Sequence, residues 1–507
     1  MMAAMKLNRQ IMLKDLLQGI IDLPSDMDRQ IGRPCLDSRK LEAGDLFLAC
    51  AGQTVHGFAY IATALEKEVS AILWEPHPYI DTLPFSWGQT PQGLQVPLIA
   101  IPHLSQQVGV IADRYYEHPS QRMFVTGITG TNGKTSCSQF LAQILSEDKP
   151  CAIIGTLGNG LYGKLNATAH TTPDAVSCHA LMAEMLEQGA SDMVMEVSSH
   201  ALEQGRVNAV QFDCAVFTNL SRDHLDYHGD MHSYAEAKAG LFRVDKLKFA
   251  VINTDDAFGR ELASRVQAPT RLIRFGLSEQ HGRPEIFARD IQLTTDGMQF
   301  HVTTPWGEAE LSAPLMGRFN VSNLLAVLSV LLLHGMDLVE AQNKLRTLKP
   351  VAGRMESLHQ QNKPVVVIDY AHTPDALEQV LLSLQAHCSG QLWCVFGCGG
   401  DRDKGKRPLM GEIADRLADV LVLTNDNPRS ESAEAILNDI QTGLTGQSEC
   451  HVIADRAAAI AHAINNAREE DIVLIAGKGH EDYQLVGDKR LSFSDMAEAR
   501  KQLGLVA

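Results

Sequence analysis

Residues 124–147 read FVTGITGTNGKTSCSQFLAQILSE, and this stretch decides the fold of the middle of the chain. Its apolar start predicts a buried strand, the glycines that follow predict a tight loop, and KTSCSQFLAQILSE has the spacing of a helix. Strands and helices that alternate in this way are typical of a parallel α/β sheet. We therefore predict a parallel sheet for this region.

The loop of this stretch has the composition of a phosphate-binding loop. Backbone amides at Gly130 and Gly133 are predicted to converge with the ammonium of Lys134 and the hydroxyl of Thr135, where they can hold nucleotide phosphates and Mg²⁺. The loop departs from the strict pattern GxxxxGK[ST], because Ile128 stands at the position of the first glycine. The prediction is still ATP binding. The segment assigned to it is Gly130, Thr131, Asn132, Gly133, Lys134, Thr135 and Ser136.

Length and composition indicate a globular protein of several domains. The chain has 507 residues, of which 45% are hydrophobic and 21% charged. This length suggests about three domains. Because 61 acidic residues outnumber 44 basic ones and give a formal net charge of -17, the surface is expected to repel nucleic acid and anionic membranes. Any phosphate must therefore be held in a local site.

The chain has no pattern of export or of membrane insertion. No apolar stretch approaches the ~18 residues needed to span a bilayer, and residues 1–17 lack the apolar core of a signal peptide. The ten cysteines are scattered, and the closest pair, Cys394 and Cys398, does not have CxxC spacing. Reduced thiols in a cytoplasmic protein are the expectation.

Three segments of different pattern set the predicted domain boundaries. Residues 1–101 hold short strand-like runs and a Pro-rich stretch, residues 75–93, that we expect to be a long loop. Residues 102–350 alternate strand and helix patterns and then show period-two alternation around Asp296-Gly297, which predicts an antiparallel extension of the sheet. Residues 351–507 form the third predicted domain.

The third segment contains four apolar runs that each end in a polar or glycine-rich loop. They are PVVVIDYAHTP, QLWCVFGCGGDRDKGKR, DVLVLTNDNPR and DIVLIAGKGHED. The helix after the first run has an expected N-cap, Thr373, and a first-turn proline, Pro374. We predict a doubly wound sheet, which binds ligands beyond the carboxyl ends of its strands. The tetrapeptide DNPR, from Asp426 to Arg429, lies at that edge, although by itself it is equally typical of a plain turn.

The loop GTNGKT, together with motifs spread over the whole chain, resembles the Mur ligase superfamily, whose members join a carboxylate to an amine with ATP. The resemblance implies an α/β fold of three domains. These would be a small N-terminal uridine-nucleotide-binding α/β domain, a central P-loop ATPase-like parallel sheet with an antiparallel extension, and a C-terminal Rossmann-like domain that binds the amino acid. ATP and Mg²⁺ are the implied cofactors.

The resemblance also implies two Mg²⁺ sites in the central domain. Thr135 and Glu196 match the first site, and His224 and Lys238 match the second. From its helix alone, Lys238 would be a solvated lysine, and an ammonium cannot bind a cation. In the family, however, the lysine of the pattern YxxAKxxLF carries a carbamate, and Lys238 holds this position. The implied catalytic residues are Lys134, Lys238, His224 and Arg354.

Three further segments match the nucleotide contacts of the superfamily. An arginine can stabilise the γ-phosphate during transfer, and an aspartate can accept hydrogen bonds from the ribose hydroxyls. The matching residues are Asn320, Asn323, Arg354, Asp369 and His372.

The resemblance implies that a UDP-N-acetylmuramoyl dipeptide binds to residues of the first two domains. Relatives that add diaminopimelate often have Asn where this chain has His170, so the role of His170 stays open. The matching residues are Leu36, Ser38, Gln53, Thr54, Val55, His170, Thr171, Thr172, Ser198, Gln204 and Arg206.

The DNPR tetrapeptide resembles the loop of those relatives that add meso-2,6-diaminopimelate rather than lysine. The distal end of diaminopimelate carries a carboxylate that lysine lacks, and an arginine fork suits a carboxylate. Neighbouring strand ends would supply a second arginine, a carbonyl and an acidic partner for the distal ammonium. The implied residues are Arg402, Asp426, Asn427, Pro428, Arg429, Gly477 and Glu481.

The implied reaction is the third amino-acid addition to the peptidoglycan precursor, through an acyl phosphate, with closure of the C-terminal domain to assemble the site. A monomer without nucleic-acid or membrane partners is expected. A lysine-adding relative and a folylpolyglutamate synthase are the nearest alternatives; Arg429 disfavours the first, and the uridine-binding segment disfavours the second. A P-loop ATPase or an ATP-binding regulatory module would explain GTNGKT alone.

Overall fold

The computed structural model describes residues 11–52, 55–76, 83–294 and 297–505. Its contacts group the chain into two compact units, residues 1–274 and residues 275–507. The predicted boundaries of three domains, at 1–101, 102–350 and 351–507, stay a prediction. The predicted mixed α/β class is confirmed, since helices alternate with largely parallel sheets in both units.

The first unit begins with a small sheet in the strand order β3-β4-β5-β7-β6. Its first four strands run parallel, and β6 pairs antiparallel at the edge. The elements are β1 (Ile11–Met12), α1 (Leu13–Leu17), β2 (Gln30–Ile31), β3 (Pro34–Cys35), β4 (Leu46–Ala49), α2 (Ile61–Glu66), β5 (Ala71–Trp74), β6 (Phe85–Gln89), β7 (Gln95–Ala100) and α3 (Leu104–Tyr115).

The predicted long loop at residues 75–93 is wrong over its second half, because β6 lies there. Phe85 pairs with Ile99 and Gln89 with Gln95 across the antiparallel edge. The prolines and glycines around β6 conceal it in the sequence, and the hydrogen bonds that make it a strand come from β7.

A larger sheet follows in the first unit, with β9, β12, β8, β13 and β14 as neighbours and antiparallel β10 and β11 at its edge. The predicted strand, loop and helix of residues 124–147 are confirmed as β8 and α4. The elements are β8 (Phe124–Thr129), α4 (Lys134–Leu145), β9 (Cys151–Gly155), β10 (Gly158–Leu161), β11 (Lys164–Asn166), α5 (Ala175–Glu187), β12 (Asp192–Glu196), α6 (Ser199–Glu203), β13 (Cys214–Phe217), α7 (Leu225–His228), α8 (Met231–Ala239), β14 (Phe249–Asn253), α9 (Ala257–Arg265) and β15 (Arg271–Gly276).

The second unit begins with three antiparallel strands and two helices. These are β16 (Ile286–Thr294), β17 (Gly297–Thr304), β18 (Gly307–Ala313), α10 (Arg318–His334) and α11 (Leu338–Leu345). The predicted antiparallel extension is confirmed, because β16 pairs with β17 and β17 with β18. Asp296 of the predicted turn lies outside the described residues.

The rest of the second unit is a sheet in the order β19-β20-β24-β21-β22-β23, with helices on both faces. The five adjacent strands from β20 to β23 in this order run parallel to one another. The elements are β19 (Glu356–Leu358), β20 (Val365–Asp369), α12 (Pro374–Gln385), β21 (Leu392–Phe396), α13 (Lys406–Leu417), β22 (Val420–Leu423), α14 (Ala433–Gln441), β23 (Glu449–Val452), α15 (Arg456–Asn466), β24 (Ile472–Ala476), β25 (Tyr483–Val486), β26 (Lys489–Ser492) and α16 (Asp495–Leu503).

The four apolar runs predicted in this segment are the strands β20, β21, β22 and β24. The predicted N-cap is also confirmed, since the Thr373 hydroxyl accepts the amide of Ala376 at 3.4 Å. The analysis of the sequence missed β23, whose residues are mostly exposed, because an edge strand does not show a buried apolar run.

A buried ion pair fixes the carboxyl edge of this sheet. The Arg456 guanidinium contacts the Asp495 carboxylate twice, at 2.7 Å each, and both side chains are fully buried. The same guanidinium donates to the carbonyl of Ala476 at the end of β24 (2.9 Å) and to the carbonyl of Asn425 just after β22 (3.2 Å). The loops that follow β22 and β24 therefore start from fixed points.

The ten cysteines are all unpaired, as predicted. Across the described ranges, no helix is both long enough and apolar enough to cross a membrane.

Candidate active site

The phosphate-binding loop joins β8 to α4 and places the amino end of that helix at the carboxyl edge of the sheet. Gly130 has φ +149° here, and a Cβ at this position would lie 1.9 Å from the Thr218 hydroxyl, so only glycine fits. The Lys134 ammonium donates to the carbonyls of Gly130 (2.7 Å) and Thr131 (2.9 Å). The amides at a helix start and a lysine beside them are suited to bind an anion.

The loop is held by two neighbouring segments that the sequence analysis did not assign. The amide of Asn132 donates to the Asn219 side chain at 2.9 Å, and the hydroxyl of Thr131 lies 3.1 Å from that of Tyr234. These contacts join residues far apart in the chain, and no local pattern marks them.

A fully buried carboxylate, Glu196 at the end of β12, lies beside the loop. It accepts hydrogen bonds from the Thr135 hydroxyl (2.8 Å), the Thr156 amide (2.9 Å) and the Thr156 hydroxyl (3.0 Å). The Thr156 hydroxyl is also 3.1 Å from that of Thr171. Thr156 therefore connects the predicted nucleotide residues to a residue predicted for the second substrate, and the sequence analysis missed it.

The surroundings of Glu196 suit a hard divalent cation. Its partners named above are two hydroxyls and an amide, and a carboxylate buried without a cation is costly. Carboxylate and hydroxyl oxygens are the ligands that Mg²⁺ prefers. In the described part of the chain, no three His, Cys, Asp or Glu side chains gather tightly enough to hold a metal by themselves. The Thr135 hydroxyl, 2.8 Å from Glu196 Oε2, is placed to share a cation with this carboxylate.

Lys238, on α8, is buried rather than solvated, which corrects the expectation from its helix alone. Its ammonium donates to the Gly130 carbonyl at 2.9 Å and lies 4.3 Å from the centre of the Tyr234 ring. Burial, and then the positive charge of Lys134, hold the pKa of Lys238 well below its ordinary value. Compared with an exposed lysine, the balance at this position is shifted toward the unprotonated amine.

His224 begins α7 in a left-handed conformation, with φ +53°. Its Nε2 lies 3.4 Å from the Asp223 carboxylate, and its ring packs edge-on against His200 at 4.9 Å and Tyr234 at 6.1 Å between centroids. Tyr234 therefore contacts both His224 and Lys238, the two residues predicted for the second Mg²⁺ site.

A cavity of about 330 Å³ in the first unit brings together part of the predicted dipeptide site. Leu36, His170, Gln204 and Arg206 line it. The Arg206 guanidinium donates to the Gln204 side chain at 2.6 and 2.9 Å and to the Thr172 carbonyl at 2.8 Å. An oriented guanidinium in a partly apolar cavity is suited to bind an anionic substrate.

Other residues predicted for this substrate lie outside the described lining of the cavity. The Thr172 hydroxyl donates to the Glu196 carbonyl at 2.8 Å, and Ser198 caps α6. Ser38 is buried in a short 3₁₀ helix, and Val55 is half exposed. Gln53 and Thr54 lie outside the described residues.

The residues of the second unit that are predicted to contact the nucleotide fall into two groups, one on α10 and one around Tyr370. Asn320 and Asn323 are buried on α10, where the side-chain amide of Asn323 donates to Asn320 Oδ1 at 2.9 Å. The Arg354 guanidinium lies 4.9 Å from the centre of the Tyr370 ring. The remaining two, Asp369 and His372, flank Tyr370 at the end of β20.

Asp369 and His372 are bound to the main chain around them. The Asp369 carboxylate accepts the amides of Met355 and Ala371, at 2.8 Å each, and burial raises its pKa. His372 Nδ1 is 2.8 Å from the Tyr370 carbonyl, and burial lowers its pKa. Part of the hydrogen-bonding capacity predicted for ribose is therefore used within the protein.

The DNPR loop follows β22, and its side chains are directed by contacts to two other loops. Arg429 has φ +51°, and its guanidinium donates to the Gly400 carbonyl at 2.7 Å. The Asn427 side chain donates to Glu481 at 3.0 Å and accepts the Leu485 amide at 2.9 Å. The structure therefore brings Asn427 and Glu481 into contact and directs Arg429 toward Gly400, and the role of these residues in binding an amino acid stays a prediction.

The other predicted residues of this group differ in setting. Asp426 is buried, Arg402 is exposed on the loop after β21, and Gly477 has φ +114° directly after β24. The sequence analysis missed Lys478, which is fully buried beside Asp426. It also missed the buried Arg407, which contacts Glu431 at 2.8 Å.

Three family models match consecutive parts of the chain. Residues 35–116 match the Mur ligase family, catalytic domain; residues 128–331 match the Mur ligase middle domain; and residues 353–479 match the Mur ligase, glutamate ligase domain. Together they cover most of the chain.

Individual proteins are similar over nearly the whole length. The UDP-N-acetylmuramoyl-L-alanyl-D-glutamate–2,6-diaminopimelate ligase of Alkalilimnicola ehrlichii is 47% identical over 97% of this chain and 98% of its own length. The protein of the same name from Coxiella burnetii is 49% identical over 92% of this chain and 94% of its own length. A solved structure with that name superposes with a TM-score of 0.72 at 35% identity, covering 98% of this chain and 99% of the other.

Proposed function

The chain belongs to the Mur ligase family, and we propose that it is the ATP-dependent ligase that adds meso-2,6-diaminopimelate to UDP-N-acetylmuramoyl-L-alanyl-D-glutamate. The relatives named for this reaction support the proposal. The observation that carries it within the molecule is the DNPR loop itself, in which the Asn427 side chain donates to Glu481 at 3.0 Å and the Arg429 guanidinium, two residues further on, donates to the Gly400 carbonyl at 2.7 Å. This loop would offer a cation, and through Asn427 a neighbouring anion, to one ligand. The distal end of diaminopimelate carries the complementary carboxylate and ammonium.

The reaction that we propose has two steps. An oxygen of the D-glutamyl γ-carboxylate attacks the γ-phosphorus of ATP, ADP leaves, and an acyl phosphate forms. The neutral amine of diaminopimelate then attacks the acyl carbon, loses a proton, and expels inorganic phosphate to leave an amide.

The first unit would bind ATP phosphates and the dipeptide. The amides at the start of α4 and the ammonium of Lys134 would bind the phosphate oxygens, once Lys134 exchanges the carbonyls it now contacts for the nucleotide. Arg206, already oriented by Gln204, would bind the anionic dipeptide at the cavity. The hydrogen bonds of Thr156 to Glu196 and Thr171 would hold the phosphate-binding loop and the loop that contains Thr171 in fixed positions relative to each other.

Bound Mg²⁺ would stabilise charge on the transferring phosphoryl group, with Thr135 and Glu196 at one site and His224 and carbamylated Lys238 at the other. The buried amine of Lys238 suits the carbamate, because the unprotonated nitrogen attacks CO₂, forms an N–C bond and releases a proton. Arg354 would bind the γ-phosphate, while Asp369 has lone pairs left for a ribose hydroxyl beyond its two amide contacts. Asn320, Asn323 and His372 are proposed to contact the nucleotide.

The second unit would read the distal end of diaminopimelate. Arg429 would bind the carboxylate with the guanidinium nitrogens not used by Gly400, assisted by Arg402. Glu481 and the carbonyl of Gly477 would accept the distal ammonium. Asp426, Asn427 and Pro428 would hold the loop. The cytoplasmic location and the monomeric state stay predictions.

A phosphate-release assay tests the function. The purified chain with ATP and Mg²⁺ should release phosphate in steady turnover only when both the UDP-muramoyl dipeptide and meso-diaminopimelate are present, because the dipeptide is needed to form the acyl phosphate and the amine is needed to expel phosphate from it. Steady release with ATP alone would contradict the proposal and favour a simple ATPase.

The Lys238 carbamate predicts a rescue experiment. Lys238→Ala should lower kcat at least about a hundredfold, since it removes a charge-stabilising group at the phosphoryl site. A short carboxylate such as acetate should partly restore kcat in this variant, measured by phosphate release. Lys164→Ala, at an exposed lysine of the same unit, is the matched control. Full activity of Lys238→Ala without additive would refute the carbamate role.

Arg429 predicts a selective loss of amino-acid binding. Arg429→Ala should raise the KM for diaminopimelate by about a hundredfold, because the distal carboxylate loses its charged partner. The KM values for ATP and for the nucleotide dipeptide should stay near normal. Arg416→Ala removes an exposed arginine of the same unit and should change none of them. An equal loss for all three substrates would indicate instead that Arg429 supports folding.

A further inference from the structure

A fully buried ammonium lies at the centre of the loops proposed to read the amino acid. Lys478, between Gly477 and Gly479 after β24, is 0% exposed. Its Nζ lies 3.1 Å from Glu481 Oε2, 3.3 Å from Asn427 Oδ1 and 3.5 Å from Asp426 Oδ1. A lysine is almost never buried so completely unless it is paired.

The contacts of Lys478 leave one side of Glu481 available. Glu481 Oε2 accepts hydrogen bonds from the Lys478 ammonium and from the side-chain amide of Asn427. Within the residues that the structure describes, no hydrogen bond reaches Glu481 Oε1, and the side chain is 17% exposed. A ligand ammonium that binds Glu481 would therefore share the carboxylate with the ammonium of Lys478.

This sharing affects the two candidate amino acids differently. Like charges a few ångströms apart repel strongly when they are shielded from water. The distal end of lysine carries only an ammonium, so it meets the repulsion of Lys478 without compensation. The distal end of diaminopimelate also carries a carboxylate, which is attracted both by Arg429 and by Lys478.

We propose that Lys478 is a specificity-determining residue, whose buried positive charge selects an amino acid with both an ammonium and a carboxylate at its distal end against one with an ammonium alone. The inference rests on the proposed function and assigns part of the discrimination to a residue beyond Arg429. Lys478 also holds Asn427 and Glu481 in place. Positioning alone would not favour one amino acid over the other, whereas the charge of Lys478 would.

The test compares kcat/KM for meso-diaminopimelate with kcat/KM for L-lysine, by phosphate release at saturating ATP and nucleotide dipeptide. In Lys478→Met, which keeps the length of the side chain and removes its charge, the ratio should fall by about tenfold or more. The KM for ATP should stay unchanged. Lys489→Met, at an exposed lysine on β26, is the control and should keep the wild-type ratio.

A second variant separates charge from positioning and protects the test against misfolding. Lys478→Met combined with Asp426→Asn removes one positive and one negative charge, so no carboxylate is left in excess. The ratio should rise from that of the single variant toward the wild-type value. Should Lys478→Met not unfold cooperatively on heating, Asp426→Asn alone decides, because it leaves the charge of Lys478 less balanced: a ratio above the wild-type value supports the proposal, and an unchanged or lower ratio overturns it.

Two further outcomes would contradict the inference, and they can be told apart. If kcat/KM falls equally for both amino acids in Lys478→Met, so that the ratio is unchanged, Lys478 only positions the loops and the inference is wrong. If the wild-type chain releases no phosphate with meso-diaminopimelate, the proposed function fails, and the inference fails with it.

Discussion

The first unit is organised around the buried carboxylate of Glu196. Its position at the end of β12, next to β8, is set by the register of the parallel sheet. A buried carboxylate must be fully hydrogen-bonded or bound to a cation. The Thr135 and Thr156 hydroxyls meet this need, and through them the phosphate-binding loop and the loop that precedes Thr172 are tied to one group. The same carboxylate and hydroxyl oxygens are of the kind that Mg²⁺ prefers, so the group that orders these loops is also suited to the proposed metal site.

In the second unit, the buried cations Arg456 and Lys478 hold the loops together. Arg456 fixes the ends of β22 and β24, and Lys478 then joins the two loops that leave those ends. Each cation lies between groups of opposite charge, which keeps the cost of burial low only while all partners stay in place. In this loop Arg429 adopts a left-handed backbone conformation, and its guanidinium contact with Gly400 and its amide contact with Leu485 hold it there.

Much of this arrangement can be predicted from the sequence, because it depends on local pattern. The apolar run before Gly130 and the helix after it predict β8 and α4, and Thr373-Pro374 predicts the start of α12. The position of DNPR at the carboxyl edge follows from the alternation of strands and helices. Thr156 could not be predicted, because its role depends on Glu196, which lies 40 residues further along the chain. Lys478 reads as an ordinary loop lysine between two glycines, and only the folded loops enclose it. The same holds for β6 and β23, whose edge positions give no buried apolar run.

The proposed function depends on an acyl phosphate, which forms when ATP at the phosphate-binding loop transfers its γ-phosphoryl group to the γ-carboxylate of the substrate held beside it. It is tested most directly by labelling both oxygens of the D-glutamyl γ-carboxylate with oxygen-18 and analysing the released phosphate by mass spectrometry after a single turnover. The account predicts one labelled oxygen in each phosphate released, because the carboxylate oxygen that attacks ATP leaves with the phosphoryl group. Unlabelled phosphate, with the departing labelled oxygen found in AMP or in water, would contradict it.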